Sequence, residues 1–264
     1  MPGKFTIKVM IRVIINGDDF GISQNVNKAI CECFAKRYLT GTTLMVNMPY
    51  AEEAVEMARE YGFHEAVGLH LNLTSGMPLT EDIKRCKRFC RKNGTFNAHF
   101  AQNTMSRLSI TKEESRAVAK EIEAQMRRYF ELGLAERHLD SHHHVHTDRS
   151  VMQVLMPLVH KYNFRSVRLS RNLFLKMNFL KRIYKSSFNN SLKSKVPVTT
   201  DYFGSYADLR NLKGSIPDNS LVEVMVHPMY DEKGVLVDSH ETPMRDLDTL
   251  LDELRAERQA YYLV

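Results

Sequence analysis

Short apolar blocks alternate along the chain with amphipathic stretches of period near 3.6, the pattern of repeated β–α units. Residues 9–16 predict a first strand. A helix follows from about Ser23, an N-cap residue type, with Val26, Ile30, Cys33 and Phe34 on one face. Residues 42–47 predict a second strand, and 51–61 a short helix with Ala54, Val55 and Ala58 inward, stopped by Gly62. A third strand is expected over 66–73. The stretch 74–110, with Gly76, Pro78 and Gly94, predicts a long functional loop. A strong helix opens at Thr111 with a capping box to Glu114 and closes at Gly133. Strands at 138–146, 166–170 and 221–227 follow, with a helix near 152–162 and a last helix after Pro243. No repeat or linker divides the pattern. It predicts one α/β domain over residues 1–264, a distorted, TIM-like barrel with an insertion at about 171–200.

Composition narrows the class. With 43% hydrophobic and 26% charged residues in 264, the chain is of ordinary globular make-up, which excludes disordered, collagen-like and coiled-coil proteins. The cysteines Cys31, Cys33, Cys86 and Cys90 show neither paired metal spacing nor a disulfide framework, which favours a reducing compartment. No run approaches the ~20 apolar residues of a membrane span. Lys4, Lys8 and Arg12 interrupt any leader-like apolar region, so a cytoplasmic location is expected. The formal charge of +6 is unevenly placed, with 11 Lys and Arg but no Asp or Glu between Arg149 and Thr200. The remainder carries 26 basic against 31 acidic residues, and no nucleic-acid-binding module is present.

Three polar clusters interrupt the strand ends. Asn16-Gly17-Asp18-Asp19-Phe20-Gly21 follows the first apolar strand, where barrels place catalytic groups, although Asp and Gly are also turn residues. In Gly68-Leu69-His70-Leu71-Asn72-Leu73-Thr74, alternation sets His70, Asn72 and Thr74 on one face, either lining a site or facing solvent. In the run from His138 to His146, period two sets Asp140, His142, His144 and His146 on one face with His143 opposed. A carboxylate from one strand end and imidazoles from two others match a catalytic metal arrangement. Such donors suit Zn, Fe, Ni or Co, and more oxygen donors and waters would suit Mg or Mn. The spare Asp18 is then available as a general base.

These three motifs, with Val226-His227-Pro228, resemble those of the YdjC/ChbG family of carbohydrate deacetylases, in the expected order and at comparable spacings. The similarity runs from Val13 to about Arg168. The resemblance implies a metal-dependent hydrolase that removes N-acetyl groups from amino sugars and uses a divalent metal, Mg or Zn. It implies Asp19, His70 and His142 as metal ligands, Asp18 as general base and His227 as general acid. Asn72, Thr74, Asp140 and His144 then belong to the substrate lining or orient ligands, as does His146. By analogy with related deacetylases Arg168 would hold Asp18 ionised, the alternative being a surface arginine. A metal-dependent hydrolase of another bond, such as a phosphoester on a sugar or lipid-linked glycan, is the competing activity. A binding module on a dead barrel is disfavoured by the presence of all five residues Asp18, Asp19, His70, His142 and His227.

The insertion alternates Leu173, Phe174, Leu175, Met177, Phe179, Leu180, Ile183 and Tyr184 with Lys176, Lys181, Arg182 and Lys185. A lid helix with its apolar face packed on the barrel is expected. The alternative is a peripheral membrane contact through 171–185, which would fit a lipid-linked substrate. A homo-oligomer is compatible with the sequence.

Overall fold

The computed structural model describes residues 11–103, 107–174, 177–212, 214–239 and 242–264. The expected strand start at Val9 and the insertion residues Leu175 and Lys176 lie outside the described residues.

Strand β1 (Arg12–Phe20) lies in the interior of a parallel sheet. Helix α1 (Gln24–Ala35) follows, capped by Ser23, whose Oγ accepts from Val26 N. Then come β2 (Gly41–Leu44), α2 (Ala51–Glu60), β3 (Val67–Leu71) and α3 (Lys112–Glu131), which opens with the capping box of Thr111 and Glu114. The chain continues through β4 (His138–Ser141), α4 (Arg149–Lys161), β5 (Ser166–Val167) and α5 (Phe179–Lys193). It ends with β6 (Tyr202–Ser205), α6 (Tyr206–Leu212), β7 (Leu221–Val226), a hairpin of β8 (Pro228–Tyr230) and β9 (Leu236–Asp238), α7 (Met244–Leu254) and β10 (Glu257–Arg258).

The strand order is β5-β4-β3-β2-β1-β7-β6, with every pairing parallel, and β10 pairs with the first two residues of β1. The two edges meet irregularly. The N–H groups of Asn172 and Leu173 both donate to Phe203 O at 3.1 Å, and Phe203 N donates to Asn172 Oδ1 at 2.8 Å. The result is a distorted (β/α) barrel.

Alternation along β1 sorts two environments. Val13 and Ile15 join the main apolar core, whereas Ile14 forms a separate small cluster with Leu221 and Tyr261. Tyr261 also stacks on His138 with ring centroids 3.5 Å apart, so aromatic and aliphatic groups close the end of the barrel where the strands begin. Above that plug the interior is polar, with Asn16, Thr43, His70, Asp140, Arg168 and Glu223 all essentially inaccessible to solvent. Barrel interiors usually fill with Val, Ile and Leu, and buried charge is costly unless paired. Close approach is needed here. A Cβ on Gly68 would sit 2.9 Å from His138 O, so only glycine lets β3 and β4 meet at that point.

Two expectations change. The strand over 138–146 ends at Ser141, because Ser141 Oγ accepts from His146 N at 3.0 Å and folds the run back on itself. His143 and His144 both turn through left-handed backbone, φ 53° and 54°, so the period-two face of His142, His144 and His146 does not form. The apolar face of the insertion helix α5 is not packed on the barrel. Phe179 and Leu180 are 72% and 73% exposed, and Ile183 and Tyr184 are each 51% exposed. The second half of α5 is the better anchored, where Leu192 is buried and Asn189 exchanges two 2.8 Å hydrogen bonds with the backbone of Ser170.

Candidate metal centre

Asp18 and Asp19 reach the mouth of the barrel together because β1 breaks its register. Pairing with β2 shifts between Gly17 and Phe20, and Asp19 adopts φ 68°, a left-handed conformation that Asp tolerates better than most residues. Gly21, at φ 90°, carries the chain away past Ala51 Cα, which a Cβ would approach to 3.2 Å.

Asp19 Oδ1 lies 3.1 Å from His70 Nε2 and 2.7 Å from His142 Nδ1. One ligand atom from each of these three residues falls within 4.8 Å of the others. Burial raises the Asp19 carboxyl, but hydrogen bonds from His142 and His70 win and hold it far below the usual carboxylate range. Two nitrogens and one oxygen from three strand ends form an open donor set, as a catalytic divalent cation requires. The residues present therefore fit such an ion.

Behind His70 stands a carboxylate. Asp140 Oδ1 is 2.6 Å from His70 Nδ1, and Thr43 Oγ1 donates to Asp140 Oδ2 at 3.0 Å. A carboxylate can only accept, so the proton is assigned to Nδ1 and Nε2 faces Asp19. Burial disfavours the imidazolium, yet Asp140 and Asp19 outweigh it and push the His70 pKa up to about 10. In protein alone a proton thus occupies the place that a cation would take on Nε2.

Arg168 is buried, at 1% exposure, and is no surface arginine. Its NH1 and NH2 donate to Asp18 Oδ2 and Oδ1 at 2.6 and 2.7 Å, NH1 also lies 2.7 Å from Asp140 Oδ2, and Nε donates to Glu223 Oε1 at 2.5 Å. One guanidinium spans three carboxylates. Burial alone would raise Asp18, but the Arg168 charge and hydrogen bonds keep it ionised far below the normal range. Glu223 is pushed up to about 7 by burial, which Arg168 only partly offsets. Asn16 Nδ2 adds a 2.8 Å bond to Asp18 Oδ1.

His227 follows β7 and is partly exposed. Its N–H donates to Asp238 Oδ1 at 2.6 Å, and its Nδ1 stands 3.9 Å from the same oxygen. The ring is near enough to Asp18 to contribute to lowering its pKa. His143, whose ring lies tilted against His142 with centroids 4.0 Å apart, is fixed by Thr74 Oγ1 at 2.9 Å, and burial lowers its pKa to about 4. His146 is a structural bridge from Ser141 Oγ to Arg168 O, and burial lowers it to about 3. His144 packs edge-on to Phe203, and burial holds it neutral.

Asn72 does not join the cluster. Its Oδ1 accepts from Thr74 N and Ser75 N at 3.0 Å, and its Nδ2 donates to Ser75 O and Asn47 Oδ1 at 2.7 and 3.0 Å. The side chain is fully used in shaping the loop after β3. Asn16, Thr43 and Glu223 were not anticipated. The signal for Glu223 was a lone acid within the apolar run Leu221–Val226.

A family model for YdjC-like proteins matches residues 12–260. The carbohydrate deacetylase of Clostridium beijerinckii is 30% identical over 257 residues, covering 92% of each chain. That of Geobacillus stearothermophilus is 33% identical over 219 residues, covering 82% of this chain and 79% of the relative. Among solved structures, a protein of Enterococcus faecalis V583 described as a candidate for cellobiose-phosphate cleavage is similar, with TM-score 0.70 and 21% identity. It covers 96% of this chain and 98% of that one. This last likeness concerns the fold.

Proposed function

Because the chain belongs to the YdjC-like family, we propose that it is a divalent-metal-dependent carbohydrate deacetylase that releases acetate from N-acetylated amino sugars. The observation that carries this proposal is the convergence of Asp19, His70 and His142 beside an Asp18 gripped by Arg168. The carbohydrate deacetylase relatives support the bond and the substrate class.

A cation held by Asp19, His70 and His142, magnesium or zinc, would supply Lewis acidity at the amide carbonyl and acidify water. Asp18 takes the proton of the attacking water. Arg168 keeps it ionised, and so able to accept a proton, over the working pH range. The sugar nitrogen does not leave as an anion when the C–N bond breaks, and His227 at the rim donates the proton that lets it depart as an amine. Asp140 fixes the His70 ring so that Nε2 is presented to the cation, while Thr74 and His143 border the mouth on the His142 side.

The test is acetate release from N-acetylglucosamine and short chito-oligosaccharides with added Mg or Zn, against an EDTA control. Metal-dependent acetate is expected. Release of phosphate from sugar phosphates, with no acetate from any acetylated sugar, would assign the site to phosphoester hydrolysis instead.

A further inference from the structure

The first half of α5 carries an apolar stripe that is left largely exposed among the described residues. At 100° per residue Phe179, Leu180, Ile183 and Tyr184 fall on one side of the helix, with Arg182 beside Phe179 and Lys181 beyond Tyr184. All four apolar residues are at least half exposed. Lys181 and Arg182 are exposed too, and neither forms an ion pair among the described residues. Alongside lies a groove of about 930 Å³ between α4 and α5. Met152, Met156, Pro157, Tyr184 and Phe188 line it, with Arg149 among the walls.

This surface borders the mouth of the barrel. Tyr184 Oη reaches Thr147 O at 3.5 Å, and Thr147 ends the loop that begins with His142. We propose that the exposed half of α5 docks this protein on an anionic lipid surface, so that the candidate metal centre works at a membrane interface. The inference rests on the deacetylase proposal only for what it says about the centre.

Charge selects the occupant. A face with one sign of charge, large apolar side chains and basic flanks matches the boundary between acidic headgroups and acyl chains, where Lys and Arg stems extend toward phosphate. A second copy of this chain would set Lys181 and Arg182 against themselves across a two-fold axis. The rest of the chain, with its excess of acidic residues, is repelled by the same lipid surface, which fixes the orientation.

The experiment is co-sedimentation of the full chain with vesicles of phosphatidylcholine alone and of phosphatidylcholine with phosphatidylglycerol. Two variants accompany it, Phe179→Ser/Leu180→Ser/Ile183→Ser and Lys181→Glu/Arg182→Glu. Wild type should pellet only with the phosphatidylglycerol vesicles, lose binding in high salt, and bind about tenfold or more weakly in each variant. Failure to pellet at low salt overturns the proposal, as do equal binding to both vesicles and binding that both variants retain. A dimer that dissolves in the serine variant would give the face to a second copy, and that also overturns it. Acetate release from a soluble substrate should stay at the wild-type level in both variants. If wild type pellets as expected yet yields no acetate, the docking stands and the deacetylase proposal alone fails.

Discussion

His70 Nδ1 lies 2.6 Å from Asp140 Oδ1, and this bond turns the opposite nitrogen of the ring toward Asp19. Carboxylate, imidazole and cation in line is how many metal sites fix both the tautomer and the basicity of a histidine ligand. Asp140 has a second task, since its other oxygen takes NH1 of Arg168. The ligand His70 and, through Arg168, the proposed base are therefore oriented by one shared carboxylate.

Replacing Asp140 by Asn tests that sharing. The amide cannot serve as acceptor for both His70 and Arg168 without turning a donor toward one of them. Metal affinity should fall by about 10- to 100-fold, read by competition with a chromogenic chelator. Unchanged affinity would separate Asp140 from the centre.

Asp18→Asn should keep the bound metal while lowering kcat by about two to four orders of magnitude, the range of a lost general base. Metal content by atomic absorption, beside acetate release, distinguishes a lost base from a lost ligand. Full turnover in this variant would remove Asp18 from the proton transfer.

Arg168→Met removes the guanidinium that bridges Asp18, Asp140 and Glu223. Breaking a buried ion network by deleting one partner typically costs about 3–5 kcal/mol, so a large drop in the urea midpoint is expected. Arg168→Lys should recover only part of it, because an ammonium cannot make the two-pronged contact with Asp18. A midpoint near wild type in both variants would contradict the burial of this network.

Glu223 sets a pH dependence. Its folded pKa, about 7, is raised above the ordinary 4.5 by burial against the pull of Arg168. The native state thus keeps a proton that the unfolded chain gives up. Its contribution is complete below about pH 4.5 and is lost as the pH rises through 7. Glu223→Gln can still accept from Arg168 Nε and should flatten that window by up to about 3 kcal/mol. Urea titrations at pH 5 and pH 8 read it, and equal slopes in both proteins would deny Glu223 its raised pKa.

Much of the framework was legible because helix signals are local. The Ser23 cap, the Thr111–Glu114 box and the stop at Gly62 stand where the residues place them. The ends of β2, β3 and β4 were drawn too long, since side-chain to backbone bonds such as Ser141 to His146 end a strand without an apolar signature. The residues carrying the proposed site could be named from their motifs. Their supports could not. Whether Thr43 and Glu223 point inward depends on register with neighbouring strands, which no local pattern encodes. The amphipathic pattern of 173–185 pointed to a helix, which begins only at Phe179, but not that Phe179, Leu180, Ile183 and Tyr184 stay exposed.

The central claim is that Asp19, His70 and His142 hold the cation on which sugar deacetylation depends. Its most direct test titrates metal-stripped protein with Zn or Mg while following bound metal and acetate release from chitobiose together, for wild type and His142→Ala. Acetate release should rise in step with bound metal and saturate at one ion per chain, with both lost in the variant. Acetate release independent of bound metal, or an unaltered titration of His142→Ala, would contradict the account.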